Sequence, residues 1–151
     1  MSGCGVLPPV DESSFCMRCG ERGLPVPRKT LEHLLKPERR TALRDASYYF
    51  CQTPGCNIVY FSVDPPHSFD KGDLIVRVGI KEIDDPIPVC YCFNFTERDI
   101  LEDVERNGRS RIFEEITANV KAGLCACEVK NPSGRCCLGN VQRTIRKARG
   151  I

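Results

Sequence analysis

Eleven cysteines among 151 residues limit this chain more than any other feature. They fall at 16 and 19, at 51 and 56, at 90 and 92, and at 125, 127, 136 and 137, with Cys4 alone in a lead rich in proline and glycine. An odd number cannot pair completely into internal disulfides. Residues Met1 to Pro9 hold no basic stretch followed by an apolar run, so no secretory signal is visible. No segment approaches the roughly 18 uncharged apolar residues of a membrane span. The expectation is a soluble cytoplasmic protein without membrane insertion, and dense cysteine in a reducing compartment points to metal binding or redox chemistry.

Charge excludes less than cysteine does, but it is informative. The net charge of +2 comes from 22 basic and 20 acidic residues, too even a balance to attract nucleic acid or a membrane surface by bulk electrostatics. Only a local patch could do so, and Arg143, Arg146, Lys147 and Arg149 near the C-terminus are the candidates.

The gap between Cys56 and Cys90 divides the cysteines into two groups, and turn chemistry from Pro65 to Lys71 suggests a boundary there. In the first group, Thr30 precedes Leu31 to Lys36 and Pro37 stops it, which predicts a short helix. Ser47 to Cys51 and Ile58 to Phe61 are aromatic and β-branched runs around Thr53-Pro54-Gly55, so a β-hairpin is expected with Cys51 and Cys56 at its tip. Leu74 to Val78 reads as a further strand, and Ile87-Pro88-Val89 as extended chain.

The second group has helical periodicity. Thr96 and Asp99 resemble a capping box ahead of Ile100, Leu101 and Val104, with Gly108 as the stop. Ser110 can cap a second helix carrying Ile112, Phe113, Ile116 and Val120 and ended by Gly123. A third helix aligns Leu138, Val141 and Ile145. Cysteines stand just before the first and last of these helices.

Cys16-Met17-Arg18-Cys19-Gly20 has the spacing of a metal knuckle, in which a tight turn aims both thiolates and glycine relieves the turn. Joined by Cys51 and Cys56 it supplies four thiolates, a closed structural zinc site. Cys4, His33 and His67 are the substitute ligands, with His33 expected on a helix surface and His67 in a loop. Cys90-Tyr91-Cys92 is too closely spaced for a single-ion knuckle, but two such thiolates on extended chain can reach an iron of a cluster, with two more drawn from Cys125, Cys127, Cys136 and Cys137.

Val89-Cys90-Tyr91-Cys92 followed by Phe95 to Ile100 resembles the opening of bacterioferritin-associated-ferredoxin-like 2Fe-2S domains. There a Cys-x-Cys precedes a helical pair and two further cysteines precede the last helix. The longer order is similar to the N-terminal part of CopZ-type copper chaperones. It comprises the knuckle, the Tyr48 to Phe61 hairpin, the Val89 to Phe93 segment and Asn131-Pro132-Ser133-Gly134-Arg135-Cys136-Cys137-Leu138-Gly139, and spans roughly Cys16 to Ala148. The resemblance implies an α+β chain, with a zinc-binding β-hairpin module over residues 1–67 and a helical 2Fe-2S domain over residues 68–151. It also implies Cys127 and Cys137 as the remaining cluster ligands, and Cys125 and Cys136 stay as alternatives.

The same resemblance implies electron transfer linked to copper handling, with metal ions, a copper chaperone domain or a copper-transporting ATPase as partners and Cu(I) as a transient ligand. The copper-carrying domain of those chaperones has a Met-x-Cys-x-x-Cys loop that these 151 residues do not contain. No nucleophile-base pair or phosphate-binding loop is visible, so the expected enzymatic activity is at most reduction of a metal ion. The alternative reading is a redox or metal sensor, or a zinc-containing nucleic-acid-binding regulator.

Overall fold

The computed structural model describes residues 14–63 and 65–150, so Cys4 lies outside the described residues. In chain order the elements are β1 (Leu24–Val26), α1 (Arg28–Leu34), α2 (Pro37–Arg40), β2 (Tyr48–Phe50), β3 (Ile58–Ser62), β4 (His67–Asp70), β5 (Pro88–Cys90), β6 (Phe95–Thr96), α3 (Glu97–Asn107), α4 (Arg111–Lys121), α5 (Cys127–Lys130) and α6 (Leu138–Arg149). Two single turns of 3-10 helix, Lys71–Asp73 and Gly79–Lys81, lie between β4 and β5. The class is α+β, as expected.

The expected hairpin is the centre of a larger sheet. β2 and β3 pair antiparallel with Tyr49 opposite Phe61 and Phe50 opposite Tyr60. β1 and β4 extend this pair to a four-stranded antiparallel sheet in the order β1-β2-β3-β4. Neither outer strand was expected, because both are short and lack a β-branched run. β1 holds Pro25, which has no amide to donate and is tolerated at a sheet edge.

Strand alternation explains how one hairpin serves two purposes. Tyr48 and Phe50 point to one face, where they pack with Val26, Leu31, Leu35, Val59, Tyr60, Phe69, Leu74 and Val78. Tyr49 points to the other, stacks on Phe61 at 5.7 Å and joins Ile58, Cys16, Cys51 and Cys56. Cys51, two residues beyond Tyr49, therefore emerges on the face opposite the main core.

Three local expectations need correction. Leu74 to Val78 is not a strand: Leu74 makes one isolated bridge to Leu35, and Ile75 donates to the Leu34 carbonyl at 2.8 Å. Asp70 and Asp73 form a reciprocal cap around Lys71–Asp73, which turns the chain off the sheet before a strand can start. His67, expected in a loop, is a residue of β4 whose Nδ1 lies 2.9 Å from the Tyr48 hydroxyl. Thr30 does not cap α1, which starts at Arg28 behind Pro27; the Thr30 hydroxyl donates instead to the Glu128 carbonyl at 2.5 Å.

The helical part follows its expected signals closely. Thr96 and Asp99 form the capping box of α3, Gly108 ends it at φ 71°, and the Ser110 hydroxyl accepts from the Phe113 amide at 2.9 Å to cap α4. Ile100, Val104, Ile116, Val120 and Val141 fill the core between α3, α4 and α6. We propose two units, as the cysteine grouping suggests. Ser68 to Asp70, Leu74 and Val78, which the sequence division put in the second unit, pack with the sheet of the first.

Asp103 joins α3 to α4. Its carboxylate accepts from the Ile112 amide at 2.9 Å, the Ser110 hydroxyl at 3.0 Å and the Asn107 side chain at 2.9 Å. Burial opposes its ionisation, but these donors outweigh burial and hold the carboxyl below the usual carboxylate range. Asp103→Ala should therefore lower unfolding stability by about 1–3 kcal/mol in denaturant titration, since it leaves those donors unpaired. Because the folded pKa is depressed, this contribution is complete above about pH 4 and is lost as pH falls through the lower folded value. The difference between wild type and variant should shrink accordingly in acid.

Candidate metal centres

The first centre is assembled from two tight turns. The amide of Gly20 donates to the Cys16 carbonyl at 2.9 Å, and the amide of Cys16 donates to the Glu21 carbonyl at 2.8 Å. Gly20 sits at φ 76°, a conformation costly for a side-chain-bearing residue, which accounts for glycine directly after the knuckle. In the hairpin, the amide of Cys51 donates to the Val59 carbonyl at 2.8 Å and that of Cys56 to the Thr53 carbonyl at 3.1 Å.

These turns bring the sulfurs of Cys16, Cys19, Cys51 and Cys56 within 4.8 Å of one another. The Cys16 to Cys56 distance is 3.9 Å and the Cys19 to Cys51 distance 3.7 Å. A tetrahedral zinc with bonds of about 2.3 Å requires sulfur-sulfur edges of about 3.8 Å, so the donor set fits that ion in both chemistry and size. His33 and His67 are outside this group. His33 Nδ1 lies 2.9 Å from the Lys29 carbonyl on the exposed side of α1.

Cys16, Cys19 and Cys51 differ in acidity. Burial pushes Cys16 up and raises Cys51 to about 12. Burial also opposes ionisation of Cys19, yet the Thr53 hydroxyl, 3.2 Å from its sulfur, and the backbone near Glu21 outweigh it and bring that thiol down to about 7. Cys19 is thus the readier ligand, while Cys16 and Cys51 must give up protons to a metal.

Sequence reasoning missed Lys81. Only 5% exposed, its ammonium donates to the Thr53 carbonyl at 2.8 Å and the Cys56 carbonyl at 2.9 Å, and lies 3.6 Å from Cys51 Sγ. Nothing in the local sequence marks it, because it reaches the hairpin tip from 25 residues beyond Cys56.

The second centre lies where β5, α5 and α6 meet. Cys90 ends β5, Cys127 opens α5 and Cys137 stands at the N-terminus of α6. Cys90 and Cys137 sulfurs are 3.1 Å apart, as are those of Cys92 and Cys127, and the Ala126 amide donates to Cys92 Sγ at 3.1 Å. Cys90, Cys127 and Cys137 are buried, whereas Cys125 and Cys136 are half-buried at the margin of the same cluster. Hydrogen bonding to Cys137 lowers the Cys90 thiol, while bonding to Cys127 and burial raise Cys92. The Cys127 thiol is raised to about 12, first by its hydrogen bond with Cys137.

This arrangement depends on a loop whose contacts the sequence did not reveal. Between Cys127 and Cys137, Pro132 accepts from the buried Tyr60 hydroxyl of β3 at 2.5 Å, and Asn131 ties the loop to itself by donating to the Arg135 carbonyl at 2.9 Å. α5 is also anchored to α1 by the Thr30 bond and by the Lys29 to Glu128 ion pair at 3.3 Å.

Three of the four basic residues of α6 have partners within the chain. Lys147 pairs with Glu97 at 3.3 Å, Arg149 donates to the Gly108 carbonyl at 2.7 Å, and Arg143 donates to Asn140 at 3.1 Å. They read more simply as fastenings of α6 than as a nucleic-acid surface.

One sulfur tetrad and two sulfur pairs held on a small α+β frame define a thiolate metal-binding protein. Residues 13–75 match the family described as a zinc-binding domain of CopZ. The chain is 38% identical over 128 residues to the protein named copper chaperone CopZ of Archaeoglobus fulgidus, covering 85% of this chain and 60% of that protein. It also resembles the X-ray structure of the Archaeoglobus fulgidus CopZ N-terminal domain, with TM-score 0.71 and 36% identity over 85% of this chain and 95% of that one. The chain belongs to the family of CopZ-type N-terminal regions. Among the described residues no helix is long and apolar enough to cross a membrane.

Zinc uptake should release protons. At pH 7 the metal-free Cys16 and Cys51 are both protonated, so binding as thiolates displaces at least two protons per ion. The apparent zinc affinity should then fall roughly 100-fold for each unit the pH is lowered. Competition with a chelator at pH 6, 7 and 8 measures the slope; fewer than one proton per ion would exclude a four-thiolate site.

Proposed function

We propose that this chain is a copper-handling metalloprotein in which zinc at Cys16, Cys19, Cys51 and Cys56 is structural and a 2Fe-2S cluster at Cys90, Cys92, Cys127 and Cys137 carries electrons. The observation that carries this reading is the difference in sulfur geometry between the two centres. Four donors around one point suit one ion, whereas two close pairs suit a group with two metal atoms. Cys16, Cys19, Cys51 and Cys56 are the one set of three or more candidate ligands among the described residues whose donor atoms all lie within 4.8 Å of one another. Similarity to a copper chaperone supplies the copper.

Each residue set suits its role. Zinc has no redox chemistry, and a sheet module of this size gains folding energy from a closed thiolate site. A 2Fe-2S cluster would supply one-electron exchange at the second centre, of the kind needed to convert Cu(II) to Cu(I). The chain's own contribution there is burial of three of the four sulfurs and an amide donor to Cys92, both of which bear on the potential of such a group. The reading assigns Cu(I) capture to Cys125 and Cys136, half-buried beside those cysteines, because thiolates suit that soft ion. Its place of action would be the cytoplasm and its partner a copper-transporting ATPase.

Anaerobically purified protein should contain about one zinc and two irons per chain, with sulfide matching the iron. Serine at Cys127 or Cys137 should shift or abolish the visible and EPR signals, because a harder oxygen ligand favours ferric iron. Serine at Cys125 or Cys136 should leave those signals near wild type while weakening Cu(I) retention. Anaerobic protein without iron or sulfide would remove the cluster from the account and leave a zinc protein of copper handling.

A further inference from the structure

Lys81 presents an electrostatic problem that the hairpin alone does not solve. A buried ammonium is costly unless it meets compensating charge, and its close contacts are two carbonyls and the sulfur of Cys51. Carbonyls offer only partial charge. Among these contacts a full negative charge can come only from the thiolate at Cys51. Four thiolates around a divalent zinc leave a net charge of −2, so the ammonium is placed where a loaded site has charge to balance. This argument rests on the zinc reading given above for the first centre.

Lys81 is also the last residue of the turn Gly79–Lys81, and the first residue of that turn contacts the second centre. The Gly79 amide donates to the Tyr91 hydroxyl at 2.9 Å, and that hydroxyl donates to the Arg77 carbonyl at 2.6 Å. Tyr91 stands between Cys90 and Cys92. The packing is close enough that a Cβ on Gly79 would lie 1.9 Å from the Pro88 carbonyl oxygen, so only glycine fits. A short path therefore leads from the zinc hairpin to the Cys90-Cys92 segment: hydrogen bonds join the hairpin to Lys81 and Gly79 to Tyr91, and the backbone of the turn joins Lys81 to Gly79.

We propose that Lys81 and Tyr91 are positioning residues that couple the two centres, so that zinc at the first site orders the Cys90-Cys92 segment of the second. Lys81 counterbalances the zinc thiolates and, held there, fixes the turn against which Tyr91 is docked. Loss of zinc leaves the ammonium buried without its counter-charge, which loosens the turn and frees Tyr91. By linkage, ordering of the second segment also strengthens zinc binding.

The test uses the full chain prepared with zinc and without iron. Lys81→Met keeps the length of the side chain and removes its charge; chelator competition should show zinc held roughly 10–100-fold more weakly, the usual cost of losing a partner behind a metal ligand. Mass spectrometry would follow alkylation of Cys90 and Cys92 before and after zinc removal. In wild type the rate should rise on the order of tenfold when zinc leaves. In Tyr91→Phe these cysteines should react at the faster rate whether or not zinc is bound, while the cysteines of the first centre stay protected by zinc. Far-UV circular dichroism at saturating zinc reports folding, and if Lys81→Met does not fold there, the Tyr91→Phe comparison decides alone. Unchanged zinc affinity in folded Lys81→Met, or zinc-independent alkylation of Cys90 and Cys92 in wild type, overturns the coupling. Wild-type protein that takes up no zinc overturns the zinc reading itself.

Discussion

Four sulfur atoms within 4.8 Å of one another cannot all be thiolates unless a cation stands among them. That constraint shapes the first half of the molecule. The knuckle at Cys16 and Cys19 and the hairpin tip at Cys51 and Cys56 are each built by local backbone hydrogen bonds, but the reason for their meeting is the ion they can share. A small sheet with apolar cores on both faces then grows around the meeting point. The face carrying Tyr49 and Phe61 belongs to the sulfurs, and the face carrying Phe50 and Tyr60 belongs to the main core. Lys81 closes the site from outside the hairpin.

The second centre depends on the first half for its position. Tyr60 is fully buried in the sheet, and burial raises its hydroxyl far above the usual phenol range, so it remains a donor. Its partner is Pro132, in the loop that separates Cys127 from Cys137. Thr30 and Lys29 hold α5 in the same way. The helices α3, α4 and α6 supply an apolar wall, and the sheet supplies the anchor that sets where the cysteine loop lies against it. Two groups of cysteines are therefore held in one arrangement without a large core, since each sits where separate chain segments are already fastened.

Membership in the CopZ-type family accounts for the order of the motifs, and the sulfur geometry accounts for why the two halves differ. The early cysteines form one closed tetrad of the size a zinc ion needs, and the later ones approach one another as two close pairs. The half-buried Cys125 and Cys136 border those pairs.

Much of this was determined by the sequence alone, for a local reason. The Thr96 and Asp99 box, the Ser110 cap, the stop at Gly108, the hairpin around Pro54-Gly55 and the knuckle glycine each act within a few residues, so spacing and residue type were enough to read them. The division of cysteines into two sets was legible for the same reason. What only the tertiary structure decided involves residues far apart in the chain. β1 and β4 are strands because β2 and β3 offer open edges, not because of their own composition. Leu74 to Val78 has strand-like residues but is turned away by the Asp70 and Asp73 cap. Lys81 looks like a surface lysine until the hairpin tip closes over it, and Thr30 looks like a helix cap until α5 arrives to accept its hydroxyl. Which late cysteines approach Cys90 and Cys92 was likewise open in the sequence, because it depends on how the Asn131 to Gly134 loop docks on Tyr60, an interaction spanning 72 residues that no local pattern encodes.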